Sequence, residues 1–144
     1  MKQFAVAVLL LLGLVLAGCG SNNPANVNGT WNATLMSGST TPVFTFGTTL
    51  SVNGNGSLNV TGFNFTTNSP CFAGGETETG SFTVSGNFSG QTNGSFGMTI
   101  NSKSPSGNTL VLNGTDVGNS ITGTWTLTGS SGCTGSGTFT MTKT

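Results

Sequence analysis

From Val27 onward the chain predicts an all-β fold of eight antiparallel strands in an up-and-down meander, closed as a barrel or flattened toward a sandwich. Three observations carry this expectation. Apolar residues alternate with Thr, Ser, Asn and Gly in the period-2 pattern of half-buried strands. Clusters rich in Gly and Asn punctuate the alternating runs as turns do. No stretch after Val27 repeats its apolar residues with the 3.6-residue period of a helix.

The first inward set is Trp31, Ala33 and Leu35, and the second is Phe44, Phe46, Leu50 and Val52. Asn53-Gly54-Asn55-Gly56 then signals a hairpin, because type I′ turns need positive φ at both central positions. Leu58 and Val60 open the third strand. Its phase slips at Gly62 before Phe63 and Phe65, which predicts a β-bulge at that point. Residues 67–78 form the longest irregular stretch and hold Pro70, Cys71, Gly74, Gly75, Glu76 and Glu78. Alternation resumes with Phe82, Val84 and Phe88, and again with Phe96, Met98 and Ile100. A Ser104-Pro105-Ser106-Gly107 turn leads to Leu110 and Leu112. Ile121, Trp125 and Leu127 form the seventh set, Phe139 and Met141 the eighth. A Gly, a hydroxyl residue and an aromatic recur together, ending at Trp31, Phe82, Phe96, Trp125 and Phe139. Their spacing is irregular, so this is strand chemistry and not a solenoid repeat: Gly permits a close approach and the ring fills the interior.

Charged residues make up 4% of the chain, against about 25% in an ordinary soluble domain. After Val27 the charges are Lys103 and Lys143 against Glu76, Glu78 and Asp116. Nucleic acid is excluded as a partner, since phosphate binding takes a face of Lys and Arg. Weak repulsion between copies favours self-association.

Ahead of the strands, Lys2 precedes an apolar run over residues 4–16 that ends in Ala17 and Gly18, the order of a secretory signal. The run is too short for a bilayer-spanning helix, which takes about 20 residues. Leu16-Ala17-Gly18-Cys19 resembles the lipobox of bacterial lipoproteins. That resemblance implies a diacylglyceryl group on the Cys19 thiol, removal of residues 1–18, and Cys19 as the first residue of the mature chain. Two or three acyl chains make a stable tether, each buried CH₂ contributing about 0.8 kcal/mol. Residues 19–26 are then a lipidated tether and 27–144 the β-domain. Gly20 stands where an Asp favours inner-membrane retention in enteric bacteria, so the resemblance implies the outer membrane, with its periplasmic and surface faces both open.

With Cys19 lipidated, Cys71 and Cys133 remain as an even pair in an oxidising setting, and we expect them to be bonded. The bond closes a loop of about 60 residues, for which chain entropy assigns about 4 kcal/mol. In a meander the loops after strands three and seven lie at the same end, so the pairing suits the predicted topology. The stretch 67–78 then folds over one mouth of the barrel as a pinned lid.

The chain has no His, which leaves a serine nucleophile without its usual base. Glu76 and Glu78 are the carboxylate pair a hydrolase or a calcium site would use, but their setting between Thr and Gly reads as a solvated loop. The expectation is no enzyme, no cofactor and no metal. Ile121-Thr122-Gly123-Thr124-Trp125 is similar to the segment that opens the first strand of lipocalins and avidins, although here it lies on the seventh strand. The leading functional expectation is a non-catalytic, membrane-anchored binding or interaction module, for a small apolar ligand or an envelope polymer. The alternatives are a self-associating structural coat lipoprotein and, remotely, a hydrolase using Glu76 or Glu78.

Overall fold

The computed structural model describes residues 27–144 except 39, 54–56, 89–90 and 131, and at 41 and 81–93 the backbone alone. Cys19 and the tether lie outside the described residues, as do Gly54, Asn55 and Gly56 of the predicted hairpin. Eight strands follow in chain order: β1 (Gly29–Ser37), β2 (Thr41–Val52), β3 (Ser57–Thr66), β4 (Glu76–Phe88), β5 (Gln91–Ser102), β6 (Thr109–Val117), β7 (Ser120–Thr128) and β8 (Gly135–Lys143). Each pairs antiparallel with the next, and β8 returns to β1, so the sheet is a closed barrel. A single 3₁₀ turn, Pro70–Phe72, interrupts the β3–β4 connection. Of the two expected forms, barrel and sandwich, the barrel is the one adopted.

Alternation decides what lies inside. Trp31, Leu35, Met98, Ile100, Leu110, Leu112, Ile121, Phe139 and Met141 fill the interior, all fully or almost fully buried. Their sequence neighbours Asn32, Thr34, Thr122, Thr124, Thr126, Thr138 and Thr140 point to water. Among the described residues only Val117 is a large exposed hydrophobe. A membrane-spanning barrel carries an outward apolar band, and this wall is the inverse, apolar within and hydroxylic without.

The recurring Gly-hydroxyl-aromatic triplet acquires a reason in the β7–β8 register. Gly123 stands opposite Phe139, Thr124 opposite Thr138, and Trp125 opposite Gly137. Two copies of the motif, running in opposite directions, therefore pair each aromatic with the other's glycine; the Trp125 ring lies over Gly137, while the Phe139 ring reaches past Gly123 to Gly114 on β6, where a Cβ would lie 2.7 Å from its edge. The fit at Gly137 is tight: a Cβ built there would lie 2.7 Å from Trp125 Nε1. That clearance lets the indole cross β8 and donate to the Met36 carbonyl on β1 at 3.0 Å.

The predicted bulge is present. Between Gly47 and Thr49 the β2–β3 register shifts, pairing Gly47 with Asn64 but Thr49 with Thr61. The extra residue falls on β3 at Gly62, whose φ of +59° is left-handed and favours glycine. Opposite it, the buried Thr48 donates its hydroxyl to the Thr61 carbonyl at 3.3 Å.

The bulge has a consequence on the other edge of β3. Strands β3 and β4 are joined by the pairs Ser57 with Ser81 and Leu58 with Gly80. Above Leu58 the ladder stops, and β3 bends away with β2 while β4 stays with β5. One seam of the barrel is thus split along its upper half.

The two ends of the barrel differ. The chain enters at Val27, which is fully buried and accepts a hydrogen bond from Trp31 Nε1 at 2.7 Å. The opposite end carries the β1–β2, β3–β4, β5–β6 and β7–β8 connections.

Candidate functional site

The loops at the end opposite the chain entry form the mouth. Cys71, in the 3₁₀ turn after β3, is bonded to Cys133 in the β7–β8 loop, with Cα atoms 5.7 Å apart. The expected pairing and lid position are therefore present. Ser69 caps the turn, its hydroxyl accepting from the Cys71 amide at 3.4 Å.

A residue that sequence reasoning missed ties the loops together. Asn108, just before β6, is fully buried. Its side-chain amide donates to the Cys71 carbonyl at 2.8 Å, and its Oδ1 accepts from the Ser130 amide at 3.2 Å. Its backbone amide donates to Ser102 Oγ at 3.1 Å, and its carbonyl accepts from the Ser102 amide at 2.9 Å. One side chain thus bridges the two loops that the disulfide also joins. Two backbone bonds, Gly74 N to Ser104 O at 2.7 Å and Lys103 N to Gly75 O at 2.8 Å, fasten the lid to the β5–β6 turn.

Beneath the lid lies an aromatic cluster. Phe72 meets Phe44 and Phe65 edge-on, with centroids 6.0 and 5.2 Å apart, and Phe44 meets Trp125 edge-on at 5.6 Å. Beside these rings a cleft of about 420 Å³ opens at the rim between the β1–β2 and β7–β8 ends. Pro42, Val43, Phe44 and Trp125 supply its apolar lining, and Ser37, Asn68, Ser69 and Thr134 its hydroxyl and amide groups. A smaller cleft of about 170 Å³ shares Pro42, Val43, Phe44 and Asn68 with it and continues along β2 toward β3. Among the described residues no charged side chain lines either.

The acidic pair is placed differently from the expectation. Glu76 and Glu78 belong to β4 and not to a loop, because they pair with Ser102 and Ile100 of β5. Opposed residues share a face, so both glutamates take the inward side, half-buried, at the split seam. No group of three or more metal-ligating side chains gathers among the described residues.

The third carboxylate, Asp116, faces inward near the other end of the barrel and is buried. Neither of its oxygens has a hydrogen-bond partner among the described residues. Burial pushes its pKa up from 3.8 to about 6, against the opposing pull of the Lys143 ammonium. That ammonium lies 5.8 Å from the centroid of the Trp31 ring. The signal for Asp116 was its parity with Leu110 and Leu112 along β6; for Asn108, in a turn-like sequence, there was none.

No protein-family model, curated protein or solved structure matches this chain.

Proposed function

We propose that this is a lipid-anchored envelope or surface β-domain that acts as a non-catalytic binding module through its mouth cleft. The observation that carries this reading is the opposition of the two ends. The chain enters the barrel at Val27, and the cleft, lid and disulfide occupy the far end. A lipid on Cys19, held by a tether whose extended reach is on the order of 25 Å, would therefore turn the mouth away from the bilayer. The lipobox at Leu16-Ala17-Gly18-Cys19 supports the anchor, and Gly20 supports the outer membrane.

The cleft also bears on the ligand. Side chains fill the barrel interior, so a small apolar molecule has less to enter there than in a hollow barrel. An open, uncharged rim cleft that continues into a second one suits a stretch of neutral envelope polymer, held by Asn, Ser and Thr groups beside apolar contacts. The filled interior and hydroxylic wall also support the second reading, a self-associating coat.

Trp125 lines the cleft and provides the test. Full-length protein in detergent micelles, titrated with neutral envelope oligosaccharides, should show a saturable change in tryptophan fluorescence. Thr134→Trp, which fills the cleft, should abolish ligand binding measured by calorimetry. Saturable binding that survives this substitution would remove the cleft from the reading, and concentration-dependent sedimentation without any sugar binding would favour the coat. Palmitate labelling that persists in Cys19→Ala would remove the anchor.

A further inference from the structure

We propose that the split between β3 and β4 is an acceptor site for an extended peptide strand carrying arginine at alternate positions. The first observation is the seam itself. Every other pair of neighbouring strands is laddered over most of its length, whereas among the described residues β3 and β4 pair only at Ser57 and Leu58. Among the described residues, the β4-facing edge of β3 above Leu58 and the β3-facing edge of residues 76–79 have no strand partner. Two such edges leave backbone amides and carbonyls unmatched, and the segment that matches both is another strand.

The side chains beside the gap narrow the partner further. On the β3 side, Phe63 and Phe65 are half-buried, their rings stacked with centroids 5.9 Å apart. On the β4 side, Glu76 and Glu78 face inward from the edge. A strand entering here presents alternate side chains to this inner face, where they meet rings on one side and carboxylates on the other. Arginine satisfies both demands: its methylene stem packs on an apolar surface, and its guanidinium stacks on a ring or pairs with a carboxylate in bidentate fashion. An acidic strand would be repelled, and a wholly apolar one would leave the glutamates unpaired. The outward edge positions Asn59, Thr61, Asn64 and Thr66 carry none of the lysines that guard exposed edges elsewhere. This site lies in the barrel wall and does not depend on the mouth cleft.

The test uses full-length, ¹⁵N-labelled protein in micelles and a synthetic peptide of about ten residues alternating Thr and Arg, a length that spans the open edge. The expected result is slowed amide exchange within residues 59–66 and 76–79. Affinity should fall roughly tenfold or more in the Glu76→Gln/Glu78→Gln double variant. A peptide of equal charge with proline at every third position cannot form the strand and should not protect these amides. Both glutamates are half-exposed, so the double variant should keep the wild-type circular dichroism spectrum. Equal binding of the proline peptide, or equal affinity of the double variant, would reduce the effect to general charge attraction and overturn the proposal. Protection of the same amides without peptide, rising with protein concentration, would assign the edge to a second copy and overturn it as well.

Discussion

Asn108 and Asp116 stand at opposite ends of β6, both buried, one satisfied throughout and the other not at all. At the mouth, Asn108 uses its amide nitrogen, its amide oxygen and both backbone groups to tie the loops together. At the entry end, the two oxygens of Asp116 have no hydrogen-bond partner among the described residues, and the pull of the Lys143 ammonium offsets only part of the effect of burial. The difference teaches where each end gets its order. The mouth adds directional bonds and a covalent link to its aromatic cluster, while the entry end is closed by apolar packing around Trp31 and Val27 and tolerates an unfavourable charge. Perturbing the two ends should therefore change stability in opposite directions.

The largest effect is expected from the disulfide. Replacing both Cys71 and Cys133 with Ala should lower unfolding free energy by about 4 kcal/mol, since the bond restrains a long loop in the unfolded chain. Urea denaturation of the full-length protein reads this directly. A loss near zero would mean that Asn108 and the aromatic cluster hold the lid alone. Asn108→Ala comes next, at about 3 kcal/mol, because it strands the Cys71 carbonyl and the Ser130 amide in a buried setting. The two changes act on the same pair of loops, so their combined loss should fall short of the sum. Strict additivity would separate the hydrogen-bond hub from the disulfide and break the picture of one tied mouth.

What the sequence made legible follows from how local each signal is. The slip of phase between Val60 and Phe63 is written in consecutive residues, and the bulge at Gly62 follows from it. The shared end of Cys71 and Cys133 needed only a count of chain reversals. Glu76 and Glu78 were misplaced in a loop because the Gly74-Gly75 pair and the flanking Thr residues carry a turn signal. Pairing with Ser102 and Ile100, far away in the chain, extends the strand through them. Asn108 was illegible for the same reason, because Cys71 and Ser130 come from two loops distant in the chain. The mouth cleft is likewise a product of loops meeting, whereas the ring-over-glycine packing of Trp125 and Gly137 was foreshadowed by the repeated triplet.

Asp116 gives the smallest effect and the one with opposite sign. Its parity along β6 put it inside the barrel, and an unpaired carboxylate there opposes folding once it ionises. The folded pKa of about 6 lies above the ordinary value of 3.8, so between these two values the folded chain holds a proton that the unfolded chain has released. Stability from this group is therefore fully present below about pH 4, falls as pH rises through the interval, and is flat above about pH 6. A shift of this size corresponds to about 3 kcal/mol at most. Asn cannot ionise but leaves its own amide short of partners, so Asp116→Asn should gain only about 1–2 kcal/mol at neutral pH. At pH 4 the gain should vanish, because the wild-type carboxyl is then largely protonated. Chemical denaturation of both proteins across pH 4 to 8 decides the matter. If the substitution destabilises at neutral pH, Asp116 has a bound partner at the entry end, and the contrast between the two ends of β6 fails.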